Sequence, residues 1–213
     1  MLKNSWPPET EGMEMAQESW FKLRLQKVVQ FFLRRTLRYT IVGAENIPAD
    51  GAILAVNHRS LADAPIVMAA LDRPVTFMAT AGLFRVPILG QYLWLMGHIP
   101  VYRHAHRRPA NATETTLSAA INKVQSGALV CIFPEGYIVT SDKPHQIKSG
   151  IVTLARHGCP VVPVVMEGSR QIIGAKIRWP RLRRHVTITV HPPLGTTDNA
   201  EIRAALTKLF VDT

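Results

Sequence analysis

Apolar residues fall in short, nearly continuous runs at 39–43, 52–56, 75–79, 128–133 and 161–166. Runs of this length without alternation fit strands buried on both faces. Thr187-Ile188-Thr189-Val190 alternates instead, as a half-buried strand does. Between the runs lie stretches of helical period. One follows residue 60 and reaches about Leu71, opened by the capping box Ser60-Leu61-Ala62-Asp63, with Pro65 in its first turns. Others cover 112–126, stopped by Gly127, and 148–157, stopped by Gly158. The last covers 198–211, capped by Asp198. A turn is expected at Asn46-Ile47-Pro48. Strands alternating with helices predict an α/β fold, a single-domain sandwich around a mixed, mostly parallel sheet.

An amphipathic helix is expected over 17–38. Phe21, Leu25, Val28, Val29 and Phe32 form one stripe at helical spacing. Arg24, Lys27, Arg34, Arg35 and Arg38 take the other side, with Trp20 and Phe31 among them. No acid occurs between Ser19 and Ala44. Such a face suits the headgroup region of an anionic membrane, and the apolar stripe suits the core. The plain alternative is a surface helix that only covers the core. Residues 83–96 are also strongly apolar. They line an acyl-chain tunnel, dip into a membrane or pack in the core.

The 213 residues, 47% of them apolar, are enough for one domain with a sizeable core. Residues 1–15, with Pro7-Pro8 and Gly12, read as a loose arm. They lack a basic segment followed by an apolar one, so they do not read as a signal peptide. No apolar stretch is long enough to span a bilayer. Cys131 and Cys159 sit in or beside apolar runs and read as buried thiols, which suits the cytoplasm. Net charge is +10, with arginines grouped at 103, 107 and 108 and at 178, 181, 183 and 184. No nucleic-acid-binding module is present, so the charge points to anionic lipid, the phosphates of a nucleotide-bearing substrate or an acidic carrier protein. No metal-binding cluster of histidines occurs.

The chemistry concentrates in Asn57-His58-Arg59-Ser60-Leu61-Ala62-Asp63. His58 follows a buried strand and precedes a helix, the place where sites gather in α/β sheets. With Asp63 to orient it, its imidazole can take a proton from an attacking hydroxyl. A helix cap at Asp63 and a loop histidine at His58 remain the simpler alternative at this point.

Three further blocks follow: Gly97-His98-Ile99-Pro100-Val101-Tyr102-Arg103, Phe133-Pro134-Glu135-Gly136, and Val161-Val162-Pro163-Val164-Val165. In this order the four resemble the glycerophospholipid acyltransferase family, which contains the bacterial 1-acylglycerol-3-phosphate acyltransferases. The resemblance runs from about residue 40 to about 195. It implies an acyltransferase domain over 39–213, preceded by the arm at 1–15 and a membrane-surface helix at 16–38. His58 is then the general base and Asp63 its orienting partner. Asn57, Arg59, Ser60, Arg103, Phe133, Pro134, Glu135, Gly136 and Lys148 are expected to bind substrate. Arg103 would hold the acceptor phosphate, and Lys148-Ser149-Gly150 would form an anion site at a helix start. A salt bridge at Glu135 and a solvated Lys148 are the alternatives. The implied reaction moves a fatty acyl group from acyl-CoA or acyl carrier protein to a lysophospholipid hydroxyl. That acceptor is expected to be 1-acylglycerol-3-phosphate, and no cofactor is needed. The setting implied is the cytoplasmic face of the cell membrane, held peripherally.

Two departures bear on the acceptor. The turn after Gly136 reads Tyr137-Ile138-Val139-Thr140, without the arginine the family often carries. Ala79-Thr80-Ala81-Gly82-Leu83 lacks the lysine of an A-K-x-E-L stretch. Another lysolipid, a glycolipid or a natural-product alcohol therefore stands as the alternative acceptor. A non-catalytic lipid-binding protein and a hydrolase are the competing classes.

Overall fold

A computed structural model of the chain describes residues 12–102, 109–140, 146–173 and 184–211, with side chains from Phe21 onward. Its elements run α1 (Gly12–Thr36), β1 (Arg38–Val42), β2 (Ala52–Val56), α2 (Asp63–Ala70), β3 (Val75–Thr80), α3 (Leu89–Leu95) and β4 (Ile99–Val101). There follow α4 (Ala112–Gln125), β5 (Leu129–Ile132), α5 (Gly150–Arg156), β6 (Val161–Glu167), β7 (His185–Val190) and α6 (Asn199–Val211). The strands form one seven-stranded sheet in the order β1-β7-β6-β2-β5-β3-β4. Every pairing is parallel except β6 with β7. This is the mixed, mostly parallel sheet that the hydrophobic runs predict.

β2 lies at the centre of the sheet, and each of its five residues has no exposed surface. Its alternate side chains enter two cores. Leu54 and Val56 join Ile66, Val67, Phe77 and Val164 on one face. Ile53 and Ala55 join Ala120, Ile151, Leu154, Ile202 and Leu206 on the other. Burial of each large aliphatic side chain contributes roughly 1.5–3 kcal/mol. β2, β3, β5 and β6 are mutually parallel, so their carboxyl ends share one edge of the sheet.

α1 departs from its predicted stripe. The helix opens at Gly12, inside the expected arm. Phe21, Val28 and Phe32 are exposed, as are Leu23 and Phe31. The inward face carries Gln26, Gln30, Val29, Leu33 and then Leu37. The cause is the carboxyl end of α2, whose last carbonyls lack intrahelical partners. Gln30 Nε2 donates to the carbonyls of Met68 (2.9 Å) and Leu71. Arg34 Nε donates to Ala69 O at 2.7 Å, and Nη2 pairs with Asp72 at 2.7 Å. The Tyr39 hydroxyl adds a bond to Ala69 O at 2.8 Å. Polar residues therefore occupy the buried face because they satisfy helix ends, and Arg34 belongs to this contact instead of to an outer basic face. The outer face keeps Arg24, Lys27 and Arg35 beside Phe21, Val28, Phe31 and Phe32, whereas Arg38, expected on the helix, opens β1.

The apolar stretch after β3 splits in two. Phe84 and Leu93 are buried, whereas Leu83, Val86, Ile88, Leu89 and Trp94 are exposed. A 3-10 turn, Leu83–Arg85, packs on α3 so closely that a β-carbon at Gly90 would meet Phe84 O at 2.3 Å. Ile88 is 81% exposed and holds φ at 65°, a region β-branched residues rarely enter. Core packing alone does not account for this segment.

Candidate active site

The loop after β2 is tied down at each residue. Asn57 is fully buried, and its amide extends the β2–β6 ladder by one step. Its Nδ2 donates to Met166 O at 3.1 Å, and its Oδ1 accepts the Met166 N–H at 2.7 Å. His58 comes next, at the carboxyl edge of the sheet. Its Nδ1 lies 2.9 Å from Asp63 Oδ2. That same oxygen accepts the backbone N–H groups of Arg59 and Ser60, each at 2.8 Å.

Asp63 is fully buried, and three donors converge on one of its oxygens. It is the first residue of α2 and reaches back to the loop, the reciprocal half of a capping box. The other half differs from expectation. Ser60 Oγ accepts from Ala62 N at 3.0 Å and donates to Ile173 O, and the helix starts at Asp63. A carboxylate facing Nδ1 keeps the hydrogen on that nitrogen and leaves Nε2 able to take a proton.

The second wall comes from the loop after β5. Ala55 pairs with Ile132, so Phe133 arrives beside His58. The two rings stack with centroids 4.1 Å apart and planes at 21°. Glu135 Oε1 accepts the His58 N–H at 3.2 Å, and the Val139 N–H donates to His58 O at 2.7 Å. Both backbone polar groups of His58 are thus held by one loop. Glu135 is 2% exposed, and burial pushes its carboxyl up to about 7, although the His58 amide works against that shift. Burial also raises the thiol of Cys131, which lies within the field of Asp63.

These two loops, a histidine–aspartate pair and an F-P-E-G turn, carry the site within the matched stretch. A family model described as Acyltransferase matches residues 38–167. The chain belongs to the acyltransferase family. A 1-acyl-sn-glycerol-3-phosphate acyltransferase of Chlamydomonas reinhardtii is 29% identical over 167 residues, covering 77% of this chain and 49% of that one. A chloroplastic 1-acyl-sn-glycerol-3-phosphate acyltransferase of Brassica napus is 27% identical, covering 72% and 44%. The chain therefore spans less than half the length of these relatives. In fold it is similar to the crystal structure of the 1-acyl-sn-glycerophosphate acyltransferase PlsC of Thermotoga maritima. The TM-score is 0.69 at 24% identity, covering 94% of this chain and 81% of that one.

In this chain several residues expected to touch substrate are turned inward. Asn57, Ser60 and Glu135 spend their side chains on β6, Ile173 and His58. Arg59 is 8% exposed and donates to Phe210 O at 3.2 Å, at the end of α6. These bonds hold the loop that carries His58 in place. Pro134 is buried and accepts the Lys148 N–H at 2.9 Å. Gly136 holds φ at 80°, and a β-carbon there would lie 3.6 Å from Lys148 Cγ. Lys148 is exposed beside this turn. Arg103 lies outside the described residues, as do Arg107, Arg108, Arg178, Arg181 and Arg183 and the Trp20 side chain.

Two residues were not singled out by the sequence. His98 is buried, and its Nδ1 accepts the Phe77 N–H at 3.0 Å. Burial and the charge of Lys123 push it down to about 4. Arg170 follows β6 and donates at 3.3 Å to the carbonyl of Val139, the residue whose N–H holds His58 O. Its only signal in the sequence is its place just past a strand's carboxyl end.

Proposed function

We propose that this chain transfers a fatty acyl group from acyl-CoA or acyl carrier protein to the hydroxyl of 1-acylglycerol-3-phosphate, giving phosphatidic acid. The observation that carries this reading is the His58–Asp63 pair, with its ring fixed against Phe133. The acceptor hydroxyl attacks the thioester carbonyl while His58 Nε2 takes its proton. Asp63 stabilises the imidazolium that forms. The tetrahedral intermediate expels the thiolate, which recovers the proton from His58, so an ester and a free thiol result. No protein nucleophile is required.

The same reading places the protein at an anionic membrane surface on the cytoplasmic side. Support comes from the outer face of α1, where Arg24, Lys27 and Arg35 stand among Phe21, Val28 and Phe31. The exposed apolar side chains of 83–94 leave from the carboxyl end of β3, the sheet edge that carries His58. Among the described residues no helix is long and apolar enough to cross a membrane. Both Cys131 and Cys159 are free thiols, as a reducing compartment keeps them. Incubation with acyl-CoA and a panel of lysolipids and alcohols, read by mass spectrometry, tests the reading. Phosphatidic acid as the dominant product supports it, and acylation of an uncharged alcohol in preference to the phosphate ester overturns it.

A further inference from the structure

The segment after β3 keeps apolar side chains in water although its backbone is firmly held. The 3-10 turn and α3 are locked together at Gly90, and Trp94 packs edge-on against Phe84 with ring centroids 4.8 Å apart. Residues 86–88 link the two. Ile88 has φ at 65° and ψ at −58°, and the Leu89 N–H closes onto Pro87 O at 2.7 Å. That is a γ-turn of the rare, strained hand, and a β-branched residue is costly at its centre. The turn throws the Ile88 side chain outward to 81% exposure, and Leu83, Val86, Leu89 and Trp94 are exposed as well.

The backbone and the charge of this segment say what it meets. The carbonyls of Val86, Pro87 and Ile88 accept the N–H groups of Gly90, Leu89 and Tyr92, and those of Gly82 and Leu83 accept from Arg85 and Val86. Pro87 has no N–H to satisfy. Pairing backbone groups inside their own segment is what entry into hydrocarbon demands, and a protein partner does not impose it. No Asp or Glu occurs between Asp72 and Glu114, and Arg85, which is exposed, is the one charged residue in 83–96. An anionic surface attracts that cation, and acids that it would repel are missing. Tyr92 packs on the same core as Val29 and Leu33 of α1, so this segment and the basic helix belong to one layer of the fold.

We propose that residues 83–94 form a preformed wedge that inserts Val86, Ile88 and Leu89 into the acyl-chain boundary of a lipid bilayer, with Arg85 and Trp94 at the headgroups. This rests on the membrane placement given above and names the segment that enters the lipid. The strained turn spends folding stability to project one isoleucine, and a bilayer receives a projecting side chain without needing a matching pocket. The indole of Trp94 suits the boundary between headgroup and chain. β3 ends at the sheet edge that carries His58, so insertion sets that edge against the lipid. Binding through the wedge rests on apolar burial, which salt does not screen, whereas the cations of α1 act through charge.

Two variants test the wedge. Ile88→Gly relieves the γ-turn, since glycine accepts positive φ. Its melting temperature should equal or exceed that of the wild type. Its flotation with phosphatidylcholine–phosphatidylglycerol vesicles at high salt should be about 10–100-fold weaker. A lower melting temperature with unchanged flotation would mean that Ile88 serves folding alone, and it overturns the proposal. Ile88→Cys carries a nitroxide label for electron paramagnetic resonance. Cys131 and Cys159, the chain's own thiols, are buried, so the label goes to position 88. Vesicles should move it from contact with a water-soluble nickel chelate to contact with oxygen, roughly 5–10 Å below the phosphates. A label at His157→Cys, exposed on α5 at the opposite face of the sheet, should stay in water. A label at 88 that stays in water with vesicles overturns the proposal. So does one buried by acyl-CoA alone, which would give the segment to an acyl tunnel, or by self-association, which would give it to a second copy. Neither readout uses turnover. Insertion by a protein that acylates no lysolipid would leave the wedge standing and remove the reaction, and an active enzyme with a wet label would do the reverse.

Discussion

Asp63 holds His58 twice over, once through the ring and once through the backbone beyond it. Its Oδ2 faces Nδ1 at 2.9 Å and accepts the two amides that follow His58 at 2.8 Å each. One oxygen therefore sets the tautomer and the loop together. The other, Oδ1, is buried without a partner among the described residues.

Replacing His58 with Ala should lower turnover by roughly 10²–10⁴-fold, the usual worth of a general base. The side chain is 16% exposed, so the fold should survive its loss, as circular dichroism and a melting curve would show. A folded variant with near-normal turnover would remove His58 from the mechanism.

Asp63→Asn separates charge from geometry. The amide oxygen can replace Oδ2 and still accept all three donors, and the amide nitrogen takes the place of Oδ1. The melting temperature should shift little. Turnover should drop by at least ~10-fold, because the imidazolium loses its counter-charge. Equal activity in the two proteins would reduce Asp63 to a loop anchor.

Glu135 should leave a mark on the pH dependence of stability. Its carboxyl is raised in the fold from 4.5 to about 7, so the folded protein holds that proton longer than the unfolded chain. Stability from this group is fully present below 4.5 and is lost as pH rises toward 7. Glu135→Gln keeps an oxygen for the His58 amide and cannot ionise. Melting temperatures across that window should fall less steeply for the variant than for the wild type. Parallel curves would place the carboxyl in a wetter setting than its 2% exposure shows.

The two faces of α1 should respond differently. Gln30→Ala leaves the Met68 carbonyl without its side-chain donor and Leu71 with Arg34 alone, a loss of roughly 1–3 kcal/mol, visible in denaturant unfolding. Lys27 and Arg35 changed together to Gln should leave stability nearly unchanged and weaken flotation with anionic liposomes. Each cation contributes on the order of 1 kcal/mol there, and salt screens that part. Equal binding of both proteins to neutral and anionic vesicles would confine α1 to covering the core.

The sheet was legible because its strands are bounded apolar runs. β2 lies between Gly51 and Asn57 and occupies the predicted residues. α6 was legible through Asp198, whose Oδ1 accepts the Ala200 and Glu201 amides. The face of α1 was not, because hydrophobic period assigns glutamines outward, whereas Gln30 turns inward to bond a helix end 38 and 41 residues away. The orientation of Arg59 was hidden for the same reason. Its partner carbonyl lies 151 residues along the chain, and nothing local marks it. The His58–Asp63 pair was visible because both members sit within one strand–loop–helix unit.

β2 bears the His58 loop, yet its neighbours are β5 and β6, and Arg59 is held by the Phe210 carbonyl from the far end of α6. On the ribosome, the His58 loop emerges early, but the strands that seat it emerge after many intervening residues. Contacts this distant close slowly. A nascent chain that has passed His58 holds a strand with both hydrogen-bonding edges open and a histidine with no wall behind it. The walls around His58 thus close only once β5, β6 and α6 have been made, and a chain halted before them lacks the bonds that seat the His58 loop.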